Sequence, residues 1–439
     1  MTTDPASDAS TAARAPRRIA MLSLHTSPLA PLGGRETGGM NVYVREVAAQ
    51  LAALGIAVDV FTRRSSTTED EVRPIAPASG DAAARLVQIT AGPKSRIERH
   101  EMIPFVAAFA DGVEAFRARE GVTYDVIYSH YWLAAEAGAL LAQRWDVPHA
   151  AMFHTLAEVK LRARASESEP AERIEAERRL LAGPRPIDRV VAATEHERRL
   201  LAQIYRVPSE RVTVVPLGAD LDQFRPRPQA EARAALGIAP EERMVLGIGR
   251  IEPLKGFDIL IRAMAQLSDR TNVVLSIIGG DERASREVDA LRAVAEKVGV
   301  ADAVRFLGPR PHEDLPAYYN AADVVAVPSF YESFGLVAVE AMASGVPVVA
   351  SRVGGLASTV ADGRTGYLIP WRCPEPFAEK IELLLRNEEL RRALGRAATE
   401  RMQPYSWGEV ARGIAAALAA LIAEHAALAR GDTRGRLPA

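Results

Sequence analysis

The chain has almost no cysteine. One residue, Cys373, in 439 excludes an intrachain disulfide and fits a reducing compartment. It reads as a filler near a turn, not as a nucleophile. The eight histidines form no HExxH and no close His/Cys spacing, so no metal site is expected. Charge of one sign is also missing. A formal net charge of −2 offers no bulk attraction to a polyanion, so no nucleic-acid partner is expected, and any anion must be held by local groups. Lysine is scarce: Lys94, Lys160, Lys255, Lys297 and Lys380 are the five among 54 basic residues, so a lysine stands out against an arginine background. No apolar run approaches the roughly 18 residues a membrane span needs. Residues 1–17, MTTDPASDASTAARAPR, lack the apolar core of a secretory signal and read as a disordered tail. These absences point to a cytoplasmic protein without a membrane span.

What is present is alternation. The length suggests two or three domains. RRIAMLSL (17–24) is a strand-like run, followed by the loop HTSPLAPLGGRETGG (25–39), a helical stretch at 40–54 ending at Gly55, and a strand at 56–62. That is one βαβ unit. YDVIYSH (124–130) and HAAMFHT (149–155) read as further strands, and VTVVPLG (212–218) as another. The charged stretch from about Lys160 to Ala182 reads as a helix with a solvated face. PLGADLDQFRPRP (216–228) is rich in Pro and Asp and marks a domain boundary. A second series follows, with strands at 244–250, 273–280, 304–310, 324–329 and 347–351. The expected class is α/β, with two doubly wound, mostly parallel sheets. In such sheets ligands lie beyond the carboxyl ends of the strands.

The residues just after the strands therefore matter most. Behind strand 244–250 comes the loop Gly249-Arg250-Ile-Glu-Pro-Leu-Lys255-Gly256. It opens a helix, and helix N-termini attract anions. Arg250 can grip a phosphate as a fork and Lys255 as a point charge; the alternative is a surface loop with ordinary charges. Behind strand 324–329, Glu332 and Glu340 stand eight positions apart in an otherwise apolar or small segment. A helix starting near Ser333 to Gly335 and ending before Gly345 lets both carboxylates flank a ligand at its N-terminus. Gly335 permits close backbone approach, and the amides of Phe334, Gly335 and Leu336 would face a diphosphate. Carboxylates repel phosphate but accept from sugar hydroxyls. The alternative is a core helix with two incidental acids. Asp220-Leu-Asp222 reads as turn chemistry.

The segment Glu332-Ser-Phe-Gly-Leu-Val-Ala-Val-Glu340 resembles the E-x7-E motif of retaining family-four glycosyltransferases, which have the GT-B fold. GRIEPLKG (249–256) is similar to that family's donor-phosphate motif, and the likeness spans about 17–425. SLHTSP, GGMNVYVREVA, SHYW (129–132) and FHTLAEVK (153–160) resemble the D-inositol-3-phosphate N-acetylglucosaminyltransferases of mycothiol synthesis within the family, with sucrose-phosphate synthases next. The resemblance implies two Rossmann-like domains facing a central cleft: 18–218 for the acceptor and 219–405 for the nucleotide-sugar, with 406–439 as a crossover helix and tail. It implies Gly39 against the donor phosphates, with Arg250 and Lys255 holding the diphosphate. His154 and Glu332 would meet the donor sugar, Glu340 the ribose and Arg310 the uracil. Asn41 would touch the acceptor, and Tyr131, Thr155 and Arg173 its phosphate. The family's remaining phosphate ligand is a lysine; in AGPKSRIERHEMIP the aligned position is Arg99, with Lys94 nearby. The implied reaction moves a sugar from a UDP-sugar, UDP-GlcNAc, to 1D-myo-inositol 3-phosphate with retention by front-side attack, and needs no cofactor. Transfer of glucose to fructose 6-phosphate is the alternative.

Two rivals fit less well. An NAD-dependent dehydrogenase needs GxGxxG in the first βα turn, and GGRETGG lies far from its strand. A bilobed solute-binding protein needs an export signal and has no use for Arg250 with Lys255. The apolar-striped helix at 405–429 suits a crossover to the first domain and is compatible with a homodimer.

Overall fold

The computed structural model describes residues 15–30, 38–79, 82–163, 168–280, 284–370 and 373–430. Most of the tail expected at 1–17, part of the 25–39 loop and the segment after Arg430 lie outside the described residues. Two sheets organise the chain. The first contains β1 (Arg18–Leu22), β2 (Ala57–Arg63), β3 (Val72–Ser79), β4 (Ala82–Ile89), β5 (Val126–His130), β6 (His149–Met152), β7 (Arg189–Ala192) and β8 (Val212–Val214). The second contains β9 (Arg243–Ile248), β10 (Val273–Ile278), β11 (Val304–Gly308), β12 (Val324–Val327), β13 (Val348–Ser351) and β14 (Gly366–Ile369). Strands such as β2 and β5 are buried at every position, as expected when helices cover both faces of a parallel sheet.

The first sheet runs β3-β4-β2-β1-β5-β6-β7-β8 and the second β11-β10-β9-β12-β13-β14. All neighbours are parallel except β3 and β4. This is the doubly wound order, and the chain reverses direction across each sheet between β1 and β5 and between β9 and β12. The antiparallel β3–β4 hairpin and the edge strand β14 were not expected. β3, VRPIAPAS, carries prolines that its edge position tolerates, and the same prolines hide it from a pattern reading.

Three expectations need correction. HAAMFHT is strand only to Met152, because the backbone leaves the sheet and His154 takes φ +61°. The charged stretch 160–182 is not one helix. It holds Ala157–Ala163 and Ala171–Ala182, and Pro170, at the N-cap of the second, cannot lie inside a continuous helix. The C-terminal helix Trp407–Ala429 reaches the length and mean hydropathy, 1.4, of a possible bilayer crossing, contrary to the expectation that no segment does. Its Trp407, Val410, Ala411, Ile414, Leu418 and Leu421 are buried, and it packs on the helix Gly39–Ala53 of the first domain. At its start, Ala219 of the interdomain connection donates its N–H to Tyr405 at 2.8 Å, so the two chain crossings between the domains run side by side.

Candidate active site

On the first domain, the exits of β1, β5 and β6 converge. Asn41, in the first turn of the helix Gly39–Ala53, donates to Thr26 Oγ1 and to the Ser27 carbonyl, both at 2.8 Å, and accepts from Gly38 N–H at 3.0 Å. One side chain thus ties the β1 loop to the helix start. At the ends of β5 and β6, His130 Nδ1 and His154 Nε2 lie 3.1 Å apart. Burial pushes the His154 imidazole down to about 3 and His130 well below its usual range, so both are neutral at physiological pH. Burial likewise lowers His25, helped by Arg99, His154 and Arg173; its ring lies 4.5 Å from that of Tyr131.

Arg173 stands behind this group, 2% exposed. Its guanidinium donates to Glu177 and Glu169 at 2.7 Å each and to the Thr155 carbonyl and hydroxyl at 2.8 and 3.1 Å. It also lies 4.8 Å from the centre of the Tyr131 ring. Glu177 further accepts from Ala157 N–H and Tyr205, and Glu169 pairs with Lys160. The helix expected to be solvated here presents a buried, compensated ion network.

On the second domain, the loops after β9 and β12 meet. Gly256 has φ +68°, and a Cβ there would sit 2.2 Å from the Pro328 carbonyl oxygen, so glycine alone allows the close approach. Phe330 N–H donates to Leu254 at 2.8 Å across the same junction. The result is Lys255 Nζ at 2.6 Å from Glu332 Oε2, with side chains 20% and 18% exposed. Arg250 pairs with Glu252 at 3.0 Å. The helix Leu336–Ala343 begins behind Gly335, φ +93°; Ala338 and Val339 donate to the Gly335 carbonyl, and the Leu336 and Val337 amides ahead of them have no acceptor within the helix. Inside it, Glu340 accepts from Tyr319 at 2.8 Å and meets His312 Nε2 at 2.7 Å. Burial opposes a charge on His312, but the charge and hydrogen bond of Glu340 outweigh it and raise its pKa.

The two domains touch at their switch points. Ser333 Oγ donates to the His154 carbonyl at 2.5 Å, and a Cβ on Gly39 would lie 2.9 Å from Leu336 Cδ1. The strand-end loops of both sheets therefore face one another across one cleft.

Comparison with known proteins decides the family. Residues 37–223 match Glycosyltransferase Family 4 and residues 228–401 match Glycosyl transferases group 1. A D-inositol 3-phosphate glycosyltransferase of Corynebacterium glutamicum is 40% identical over 90% of this chain and 94% of its own. That of Mycobacteroides abscessus is 41% identical over 96% and 94%. The chain belongs to the family-four glycosyltransferases. Among solved structures, sucrose-phosphate synthase from Thermosynechococcus elongatus superposes with a TM-score of 0.84 at 33% identity, covering 93% of this chain and all of that one. Anabaena HepE with UDP-glucose, at 22% identity and a TM-score of 0.71 over 92% and 99% of the two chains, shares the GT-B fold.

In this glycosyltransferase the structure brings His154, Tyr131, Thr155 and Arg173 together on one side, and Lys255, Glu332, Phe334, Gly335 and Leu336 on the other; Gly39 of the first domain lies against Leu336, and Asn41 is held on the first-domain side by Thr26 and Ser27. Arg310 donates to Tyr318 at 2.9 Å. Arg99 Nη1 lies 3.4 Å from Tyr131 Oη. Lys94 is exposed, in a loop whose Pro93 and Ser95 carbonyls are held by Arg63, and no contact among the described residues joins it to the Tyr131 group. Asp220 accepts from the amides of Asp222 and Gln223, a turn closed by its side chain. Among the described residues no cluster of three His, Cys, Asp or Glu side chains could hold a metal ion. His130, His312, Tyr319 and Ser333 were given no site role from the sequence. Two had neighbours that could have flagged them: His130, one position before Tyr131, and Ser333, between Glu332 and Phe334; His312 and Tyr319 had none.

Proposed function

We propose that the chain transfers N-acetylglucosamine from UDP-GlcNAc to 1D-myo-inositol 3-phosphate with retention of configuration. The observation that carries this reading is the Ser333–His154 contact, which sets the first domain's Tyr131–Thr155–Arg173 group opposite the second domain's Lys255–Glu332 pair. The inositol phosphate identity comes from the relatives' printed activity.

The diphosphate lies between Gly39, Arg250, Lys255 and the amides at 334–336. The uracil lies by Arg310, the ribose hydroxyls at Glu340, and the sugar between His154 and Glu332. Asn41 touches the acceptor, and Tyr131, Thr155, Arg99 and Arg173 surround its phosphate. As the C1–O bond to the diphosphate breaks, charge grows where Arg250, Lys255 and the helix amides are already fixed. The acceptor hydroxyl attacks C1 from the same face, and its proton passes to the departing phosphate oxygen. No metal or cofactor enters this reading, which includes a cytoplasmic location, two small-molecule substrates, and a homodimer through the C-terminal helix.

The second reading, glucose transfer to fructose 6-phosphate, is favoured by the 33% identical sucrose-phosphate synthase and by Arg99 at the family's lysine position. UDP release from UDP-GlcNAc and UDP-glucose, each with 1D-myo-inositol 3-phosphate, fructose 6-phosphate or no acceptor, separates the two. Release that requires UDP-GlcNAc and the inositol phosphate supports the first. Release only with fructose 6-phosphate replaces it with the second.

A further inference from the structure

We propose that His130 is a positioning residue for sugar transfer: its Nδ1–H donates to His154 Nε2 and holds His154 as the tautomer with its proton on Nδ1. The inference rests on the reading above, in which His154 meets the donor sugar.

The two rings can share one proton across the 3.1 Å gap in two ways. Either His130 donates from Nδ1, or His154 donates from Nε2. The second arrangement puts the other proton of neutral His130 on its Nε2. That atom is buried, with no partner among the described residues. An N–H stranded in an apolar surrounding is costly, and a bare lone pair there is tolerated better. The surroundings therefore select the first arrangement.

The ring cannot turn to escape this choice. His130 ends β5, in register with Met152 of β6. Its imidazole lies between Tyr128, 4.4 Å away, and Tyr43, 5.6 Å away, both edge-on. The two tyrosine hydroxyls bond each other at 2.8 Å and close the clamp. Tyr43 also lies edge-on to His154 at 5.3 Å. Burial keeps both imidazoles neutral, so the pair does not settle the matter by charging both rings.

The consequence is chemical. His154 Nε2 is occupied as an acceptor, and Nδ1 carries the proton, so His154 offers ligands a hydrogen-bond donor and no free base. The attacking hydroxyl must give its proton elsewhere, which agrees with transfer to the departing phosphate oxygen.

The test starts with the ligand-free full chain, labelled with 15N-histidine. Long-range 1H–15N correlation distinguishes the protonated from the bare ring nitrogen. The expected spectrum shows His130 and His154 both protonated at Nδ1; a proton on His154 Nε2 overturns the proposal. Kinetics add a second reading. Asn places an amide N–H where Nδ1 was, whereas Gln places it near Nε2. His130→Gln is expected to lose about 10- to 100-fold in kcat with both KM values within about threefold, and His130→Asn to recover most of that loss. Equal losses in the two variants overturn the positioning role. If the wild type turns over none of the acceptors, the proposed function falls, while the tautomer spectrum still decides this inference.

Discussion

The two walls of the cleft hold their charges differently. On the first domain, Arg173 is 2% exposed, and its carboxylate partners Glu169 and Glu177 are 7% and 0% exposed. Its desolvation is offset inside the fold, before any ligand arrives. On the second domain, Lys255 and Glu332 pair at the surface of a loop, each about a fifth exposed, and Arg250 and Glu252 are 38% and 30% exposed. Those pairs can change partners at little cost. The difference teaches that one wall is built as a fixed template and the other as a set of partly exposed pairs, which under the proposed function would exchange a carboxylate for a diphosphate.

The comparison breaks most visibly at Arg173. Removing one member of a buried ion network strands the rest, at about 3–5 kcal/mol. Arg173→Ala should lose that much in urea unfolding, with activity lost alongside. A variant of unchanged stability would show that the first wall is no more fixed than the second.

Lys255→Ala is the counterpart. Losing one preorganised group facing the leaving group costs about 10²–10³ in rate. The expected result is that loss in kcat/KM with the unfolding midpoint almost unmoved, because the Lys255–Glu332 pair is partly exposed and contributes little to stability. A large drop in stability would put Lys255 with Arg173 and erase the contrast.

How far the sequence reveals these walls differs in the same way. The second wall is local. Arg250 and Lys255 share one loop, Glu332 and Glu340 share one strand–helix junction, and strand-end position alone marks them as ligand-facing. The first wall is assembled at long range. Nothing near Arg173 announces that Thr155 and Tyr131 close around it, and its flanking acids look like the solvated face of a single charged helix. The same limit hid His312 and Tyr319 from Glu340, since β11 lies three strands from β12 in the sheet and only the tertiary fold brings the loop after it to that helix. The β3–β4 hairpin escaped because Pro and Ala break its alternation, while its stability comes from pairing against β2.

A pH experiment sharpens the comparison from a third side. Glu197, buried on the first domain behind the cleft, accepts from Ala193 N–H at 2.7 Å. Burial nevertheless raises its pKa to about 7 from 4.5. A carboxyl with a raised folded pKa adds stability that is full below the unfolded value and is lost as pH rises through the folded one. Its contribution should therefore fade between about pH 4.5 and 7. Glu197→Gln keeps the acceptor and removes the titration, so it should be neutral at pH 5 and gain up to roughly 3 kcal/mol at pH 8. The buried neutral histidines act oppositely: His149 and His154, both lowered to about 3, make the fold lose stability as pH falls below about 6.5. Comparing the variant with the wild type at each pH isolates Glu197 from them. Equal stability of the two chains at pH 8 would mean that the carboxylate is solvated and the first wall is less closed than its contacts indicate.

The smallest effect concerns the cation where the two acceptor readings part. Arg99 reaches Tyr131 Oη at 3.4 Å, beside the compensated Arg173, while Lys94 lies in the exposed loop held by Arg63. Because the carboxylates already engage Arg173, the proposed function makes Arg99 the residue from which an acceptor phosphate would draw its added charge. Arg99→Ala should raise the acceptor KM about tenfold and leave the donor KM unchanged, Arg99→Lys should recover to within about threefold, and Lys94→Ala should stay within about twofold. The recovery separates charge from shape. A planar fork gripping two phosphate oxygens is not replaced by an ammonium, so failure of Arg99→Lys would show that arginine at this position reshapes the phosphate site. Success would show that only the charge is read, and that the departure from lysine leaves acceptor choice where the rest of the first wall sets it.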